Sequence, residues 1–113
     1  MIRFMTTAVL VFLASSAANA ASFDCDKASK PDEKAICADH SLNDADVRMT
    51  TMFDLAIDMV AMGERDSLRA AQKTWLEQRT SCEGDIACLN AAYDRRVTDL
   101  RKHFVDLESR AAE

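Results

Sequence analysis

The sequence predicts a small all-α domain in which disulfide bonds join neighbouring helices. The 113-residue chain contains only two glycines and one proline, and it has no alternating run of β-branched residues that would indicate a strand. Apolar residues recur at steps of three and four over most of its length, which is the spacing of helices with one buried face. Four cysteines in so short a chain indicate covalent staples. We therefore expect a disulfide-stapled helical array with a C-terminal helical hairpin.

The N-terminal segment has the three parts of a secretory signal peptide. Arg3 supplies the positive charge, residues 8–14 form a short apolar run, and residues 18–20 (ANA) have the small-x-small pattern of a cleavage site. The alternative is a membrane anchor, but the apolar run is much shorter than the roughly 20 residues that cross a bilayer. We predict a signal peptide at residues 1–20 and a mature domain at residues 21–113.

The four cysteines follow the predicted cleavage site, so an oxidising compartment is expected to pair them as two disulfides. Their C-x11-C and C-x5-C spacings match neither the paired C-x2-C pattern of zinc sites nor the C-x-x-C redox motif. Three pairings are possible. The local one, Cys25 with Cys37 and Cys82 with Cys88, is favoured because each pair brackets one turn region. Because Cys25 does not stand at the cleavage point, we expect a soluble protein without a lipid anchor, periplasmic in a Gram-negative cell or otherwise secreted.

The predicted mature domain is acidic. The chain has a formal net charge of −5, and Arg3 is the only charged residue among the first twenty, so residues 21–113 carry −6. Nucleic acid is an unsuitable partner because phosphate binding needs a basic stripe. A basic protein or peptide fits better, through long-range electrostatic attraction. The alternative, which charge alone favours, is that the net charge only keeps a small secreted domain soluble.

Start and stop signals predict two helices in the first half of the mature domain. The segment PDEKAICA, residues 31–38, is predicted to form a short helix because Pro31 suits a first helical turn and acidic residues follow it. A second helix is expected to begin near residues 41–44 and to run to Met62, with Gly63 as its stop. Its four methionines suggest either an adaptable binding groove or core packing, and their helical spacing favours the core. Its apolar stripe comprises Leu42, Ala45, Met49, Met52, Phe53, Ala56, Ile57, Met59 and Val60.

A helical hairpin is predicted at the C-terminus. Residues 64–79 continue the helical periodicity, and the last helix gives the clearest pattern because its apolar residues recur over six turns. Gly84 is expected to reverse the chain, and Asp85 is expected to cap the last helix. A bond between Cys82 and Cys88 would clamp the two helices together. The apolar residues of the last helix are Ile86, Leu89, Tyr93, Val97, Leu100, Phe104 and Leu107.

The sequence carries no motif of a common reaction class, such as a Gly-rich phosphate loop, a G-x-S-x-G turn or an H-E-x-x-H helix. His40 lies between an aspartate and a serine, but sequence neighbours rarely adopt triad geometry, so a polar turn is the favoured interpretation. His103 is expected on a solvent-facing flank. Asp54 and Asp58 could form a carboxylate pair, although a solvated helix face is favoured. We predict a protein that is not an enzyme and has no metal or cofactor.

A few side chains with polar groups interrupt the apolar stripes. We expect Trp75 and Tyr93 to pack across the hairpin, and Arg79 or Arg96 to pair with a buried carboxylate such as Asp46. The alternative is a ligand-recognition cluster, which is less usual for aromatic residues at helical spacing. The polar positions are Gln72, Trp75, Arg79, Tyr93 and Arg96.

Three ordered blocks resemble a known family. FDCDKASKPDEKAICAD, residues 23–39, resembles the opening signature F-D-C-x-K-A-x-x-P-x-E-K-x-I-C. QKTWLEQRTSC, residues 72–82, is similar to Q-x-x-W-L-x-x-R-x-x-C, and CLNAAYDRRVTDL, residues 88–100, is similar to C-L-x-x-x-Y-x-x-R-I-x-x-L. On these blocks the chain resembles the LprI-like lysozyme-inhibitor domain over essentially the whole mature region.

The departures from the family pattern are mild. The family's Leu and Leu-Asp elements appear in part, as Leu42 and then Ala45 before Asp46, and Val97 stands in place of Ile. The resemblance implies an exported, disulfide-containing helical domain, one of whose relatives inhibits lysozyme, and it supplies no catalytic residues. The signature residues, which we expect to be structural, are Asp46, Gln72, Trp75, Arg79, Tyr93 and Arg96.

The sequence thus predicts an exported binding protein that inhibits lysozyme by occluding its substrate cleft. Lysozymes of the common animal type are basic, so an acidic inhibitor would be attracted to them. The alternative is a periplasmic structural or interaction protein with a different envelope partner. An enzyme acting on cell-wall material is a third interpretation, in which His40 or His103 would be the general base.

Overall fold

The computed structural model describes residues 21–113, which form four α-helices preceded by a single 3-10 turn, Cys25–Lys27. The helices are α1 (Pro31–Ala38), α2 (His40–Met59), α3 (Met62–Ser81) and α4 (Ile86–Ala111). No strand occurs in this part of the chain, and the predicted all-α class is confirmed. The predicted signal peptide lies outside the described residues. None of the described helices is both long and apolar enough to cross a membrane.

Helix α1 has the bounds that its sequence signals predict. Pro31 occupies the first helical position, where its missing N–H costs nothing. The carboxylate of Glu33 accepts hydrogen bonds from the backbone N–H groups of Ser29 at 3.1 Å and Lys30 at 3.3 Å. These bonds fix the chain before the helix, and Ile36 then anchors α1 in the core with no exposed surface.

The boundary between α2 and α3 differs from the prediction. Asp39 caps α2 by accepting a 2.9 Å hydrogen bond from the backbone N–H of Leu42, so the helix begins one residue before the expected range. It ends at Met59 because Val60 and Ala61 have extended backbone, and Gly63 lies in the first turn of α3 rather than stopping α2. The prediction for Gly63 is therefore wrong. Both residues at the corner have negative φ, so the change of direction needs no glycine.

The turn between α3 and α4 also uses a different residue from the one expected. Glu83 has the left-handed value φ 54°, whereas Gly84 does not have a positive φ. The prediction that Gly84 reverses the chain is thus wrong at the level of the backbone. The side chain of Asp85 does cap α4, accepting a 2.7 Å bond from the N–H of Cys88. The Cys82–Cys88 disulfide then joins the end of α3 to the first turn of α4.

Helix α3 is antiparallel to both α2 and α4, which consequently run side by side in the same direction. The order of the contacts shows this arrangement. Gln72 contacts Met49 of α2, and the later Arg79 contacts the earlier Asp46. Gln72 also contacts Arg96 of α4, while the earlier Glu64 contacts Arg110 near the end of that helix. The second disulfide, Cys25–Cys37, ties the segment before α1 to that helix. Together the two disulfides form the local pairing that the spacing of the cysteines favours. The core that these elements enclose comprises Ala21, Ile36, Leu42, Met49, Trp75, Cys82, Leu89, Ala92, Tyr93 and Leu100.

Candidate functional site

Asp46 and Arg79 lie at the centre of a buried polar network that joins all four helices. Arg79 Nε donates to Asp32 Oδ2 at 2.9 Å, and Arg79 Nη1 lies 3.7 Å from Asp46 Oδ1. The Tyr93 hydroxyl donates to the same Asp46 oxygen at 2.7 Å, and the backbone N–H of Ser22 donates to the other at 2.7 Å. Both carboxylates are fully buried. Through the bond from Ser22, this network ties the N-terminal segment to the helices. Removing one partner would leave a buried charge unpaired, which is costly.

Aromatic rings fix the orientation of the Arg79 guanidinium. Its central carbon lies 5.5 Å from the ring centroid of Phe23 and 5.8 Å from that of Trp75, both within the range of cation–π attraction. The Trp75 and Tyr93 rings meet edge to face, with centroids 5.1 Å apart. Trp75 Nε1 donates to the carbonyl oxygen of Ala92 at 2.9 Å. The expected packing of Trp75 against Tyr93 across the hairpin is therefore observed.

The environment of Tyr93 perturbs its hydroxyl strongly. Burial raises the pKa of this hydroxyl far above its usual value of 10.0, and the neighbouring Asp46 carboxylate raises that pKa further. Tyr93 therefore remains a neutral donor at neutral pH and well into the alkaline range. Its role in the network is to hold one oxygen of a buried carboxylate, a task for which a hydroxyl is suited.

A smaller polar group surrounds Arg96 on the α3–α4 side of the core. Arg96 Nε donates to Gln72 Oε1 at 2.8 Å, and Gln72 Nε2 contacts Met49 Sδ at 3.3 Å. Arg96 is only 6 % exposed, yet its Nη2 has no hydrogen-bond acceptor and it takes part in no ion pair within residues 21–113. Burial lowers the pKa of Arg96, and the charge of Asp99 partly opposes that effect. Arg96 is thus a buried cation without a carboxylate partner.

The expected pairing of an arginine with Asp46 holds only in part. Arg79 is the arginine concerned, and its shorter contact is with Asp32, which the sequence analysis did not single out. In the sequence, Asp32 follows Pro31 in a first helical turn, where its charge suits the helix dipole. No local signal could show that α1 packs its first turn against α3. Since Asp46 and Arg79 are buried, they cannot touch a partner protein in this fold, and their role stays predicted as structural.

The two histidines do not meet. His40 is the exposed first residue of α2. His103 is half-buried with its Nε2 covered and unpaired, so the expectation that it faces solvent is wrong; it continues the buried stripe three residues after Leu100. Because Asp46 is level with Tyr93 in parallel helices, the two imidazoles lie about 24 Å apart along the helix axes. Nowhere in residues 21–113 do three or more potential metal ligands cluster.

Helix α2 presents a side to solvent that combines acidic and apolar residues. Val47 is 40 % exposed and Leu55 is 51 % exposed, and both project from the side opposite to the buried Leu42 and Met49. None of the three aspartates on this side belongs to an ion pair formed within the described chain. We call this surface the outer face of α2. It comprises Asp44, Val47, Thr51, Asp54, Leu55 and Asp58.

Comparison with known proteins identifies the family. A sequence profile described as "Lysozyme inhibitor LprI" matches residues 25–100. The chain belongs to the LprI family. This family is named for inhibition rather than for catalysis.

Curated relatives in the family include proteins named "Lipoprotein LprI" from Mycobacterium bovis (strain ATCC BAA-935 / AF2122/97) and Mycobacterium tuberculosis (strains CDC 1551 / Oshkosh and ATCC 25618 / H37Rv). Each is 30 % identical over 82 residues, a match that covers 70 % of this chain and 40 % of the relative. The chain therefore spans less than half the length of these LprI proteins. No solved structure matches it significantly.

The LprI match coincides with the part of the molecule that holds the fold together. It includes both disulfides and the network residues Asp32, Asp46, Arg79 and Tyr93. It excludes Ser22 and residues 101–111 of α4. The outer face of α2 also lies within the matched range.

Proposed function

We propose that this protein is an exported binding protein that inhibits lysozyme by covering the substrate cleft of that enzyme. The observation that carries the proposal is the match of residues 25–100 to a family described as a lysozyme inhibitor. Because proteins of one fold can differ in function, the surface of this member must also suit the partner. Two properties of the described residues support that suitability.

The first property is rigidity. Two disulfides fix the segment before α1 and the α3–α4 turn, and the Asp32–Arg79–Asp46–Tyr93 network holds the helices in one arrangement. A rigid surface loses little conformational entropy when it binds, so more of the contact energy appears as affinity. An inhibitor that must occupy an enzyme cleft benefits directly from such preorganisation.

The second property is charge. Residues 21–113 carry a formal charge of −6, and the outer face of α2 contributes three exposed aspartates that have no internal partner. A basic lysozyme would be attracted to this face, and the attraction would raise the rate of association most at low salt. Val47 and Leu55 supply apolar area between these charges. We therefore place the contact with lysozyme on the outer face of α2.

Export is part of the proposal. The two disulfides are typical of proteins in an oxidising compartment, and the signal peptide predicted at residues 1–20 supplies a route there. We propose a periplasmic or secreted location. Mass analysis of protein recovered from the periplasm and medium should show a chain that begins at Ala21. Recovery of an uncleaved chain from the cytoplasm alone would contradict this part.

A hydrolysis assay tests the inhibitory function. Purified protein is titrated against a basic lysozyme acting on cell-wall material, and the rate of hydrolysis is expected to fall in a saturable way. A reduced and alkylated sample serves as the control, and it should inhibit less because the surface is no longer held rigid. Undiminished hydrolysis at a large molar excess of the native protein would exclude lysozyme as the target.

A second candidate is an envelope interaction protein with a different partner. The corner between α2 and α3 exposes Leu55, Met59 at 58 % and Met62 at 78 %, which is apolar surface that a protein partner could cover. Copurification from periplasmic extract distinguishes the candidates. A stoichiometric partner other than lysozyme, together with no inhibition, would favour this second function, and recovery of no partner would count against it.

A further inference from the structure

The four methionines at residues 49–62 divide into two pairs with opposite environments. Met49 is only 1 % exposed and accepts a hydrogen bond from Gln72 Nε2 at 3.3 Å, and Met52 packs partly buried against the core. Met59 and Met62 are instead 58 % and 78 % exposed at the corner between α2 and α3. The interpretation of these methionines as core packing therefore holds for the first pair and not for the second.

The corner leaves the two exposed thioethers accessible from solution. Met59 is the last residue of α2 and Met62 is the first residue of α3, and the two residues between them have extended backbone. Beside Met62, a Cβ added to Gly63 would meet no atom of the described chain within 4 Å, so the space there is open. A small oxidant can therefore reach both side chains without any opening of the fold, whereas Met49 is reached only when the fold opens.

We propose that the α2–α3 corner is a site of methionine oxidation by peroxides, with Met59 and Met62 as the residues that react. The thioether sulfur attacks one oxygen of hydrogen peroxide and the O–O bond breaks. The transferred oxygen passes its proton to the departing hydroxide, which leaves as water, and the sulfur becomes a sulfoxide. Methionine sulfoxide reductases reverse the change, taking two electrons from a thiol and releasing the oxygen as water. The proposal does not depend on inhibition of lysozyme.

Oxidation changes the corner from apolar to polar and leaves the fold in place. Leu55, Met59 and Met62 supply exposed apolar surface at this corner, and a sulfoxide on two of the three adds a polar oxygen to each. Neither exposed methionine belongs to the buried core of residues 21–113, so each new oxygen stays hydrated. A contact that buried the oxidised corner would have to remove water from these oxygens, which is costly. Oxidation therefore weakens any apolar contact made through the corner.

Graded treatment of the purified protein with hydrogen peroxide, followed by tandem mass spectrometry, tests the selectivity. All four methionines lie between Arg48 and Arg65, so one tryptic peptide carries them and its fragments locate the added oxygen. We expect Met59 and Met62 to oxidise at least about ten-fold faster than Met49 in the folded protein. The matched control is the same protein in concentrated urea, where the rates should agree within about two-fold. Equal rates at Met49 and Met62 in the folded protein, the same spread of rates in urea, or no oxidation at the corner would overturn the proposal.

Two further measurements test the consequence of oxidation. Circular dichroism of the treated protein should show the native helix content and a Tm lowered by less than about 4 °C. Retention on a phenyl column should fall after treatment, and it should not fall in a variant with both Met59→Leu and Met62→Leu, whose corner stays apolar. Met52→Leu is the matched control and should behave as the native protein. Loss of helix, or an equal fall in retention with the doubly substituted variant, would contradict the assignment to the corner.

Discussion

The hydroxyl of Tyr93 donates a 2.7 Å hydrogen bond to Oδ1 of Asp46, joining α4 to α2 across 47 positions of sequence. The same carboxylate accepts the backbone N–H of Ser22 and lies near the guanidinium of Arg79. Asp46 is therefore the point at which the N-terminal segment and three helices meet. The stability of the scaffold should depend on this carboxylate and its donors more than on any other polar group.

Tyr93→Phe tests the bond directly. The ring and its packing against Trp75 are retained, but one oxygen of a buried carboxylate loses its donor, which should destabilise the protein by about 1.5–3 kcal/mol. Urea unfolding followed by circular dichroism measures the change. Thr98→Ala, at an exposed position of the same helix, should alter the free energy of unfolding by less than about 0.5 kcal/mol. An equal effect of the two substitutions would contradict the importance of the bond.

Stability should decline in strongly alkaline solution because of the same hydroxyl. Burial and Asp46 raise the pKa of Tyr93 in the folded protein above its value of 10.0 in the unfolded chain. The associated stability is thus complete below pH 10 and is lost as the pH rises from 10 towards the raised pKa. Tyr93 is the sole tyrosine, so the ultraviolet absorbance of tyrosinate should appear only when the protein unfolds. A normal titration step near pH 10 with the fold intact would contradict this account.

The two disulfides should differ in their contribution to stability. In the chain-entropy model, a disulfide that closes a longer loop stabilises the fold more. Replacing Cys82 and Cys88 by alanine, which opens the shorter loop, should lower the free energy of unfolding by about 2 kcal/mol. Replacing Cys25 and Cys37 should lower it by about 3 kcal/mol. The Cys25–Cys37 bond also anchors the segment that presents Phe23 to Arg79. Unfolding midpoints of the two double mutants measure the difference. The reverse order of stability would show that the N-terminal segment contributes little.

Local signals in the sequence predict most of the helices, whereas the contacts between them are not predictable in the same way. Pro31 marks α1, and Asp85 caps α4, because these residues act within one turn of their own position. The bond between Asp32 and Arg79 spans 47 positions, and no local pattern relates them. The unpaired state of Arg96 likewise depends on which side chains three helices bring together.

The two turn predictions based on Gly63 and Gly84 are wrong for a related reason. A corner between helices can use extended backbone, as at Val60 and Ala61, or a non-glycine residue held left-handed, as at Glu83. The Cys82–Cys88 bond and the cap by Asp85 surround Glu83 and constrain its backbone. The position of a glycine in the sequence does not reveal such constraints.

The turn offers a stabilising substitution. Glu83→Gly should raise the free energy of unfolding by about 0.5–1 kcal/mol, because glycine adopts φ 54° without the steric cost that other residues incur. Thermal unfolding measures the gain. Gly84→Ala is the matched control: the nearest atom to its new Cβ would be Pro31 O at 3.8 Å, so no destabilisation is expected. Destabilisation by Glu83→Gly would mean that the carboxylate has a role that outweighs the backbone strain.

The inhibition of a basic lysozyme by three matched proteins tests the central claim most directly. The first is the native protein. The second, the α2 variant, carries Asp44→Lys, Asp54→Lys and Asp58→Lys on the outer face of α2. The third carries the same change of charge elsewhere, as Glu77→Lys, Asp94→Lys and Asp106→Lys. We predict that the native protein inhibits, that the α2 variant requires at least about ten-fold more protein for the same effect at low salt, and that the third variant is affected much less. Equal inhibition by both variants would remove the outer face of α2 as the contact, and undiminished hydrolysis with the native protein in large excess would contradict the account as a whole.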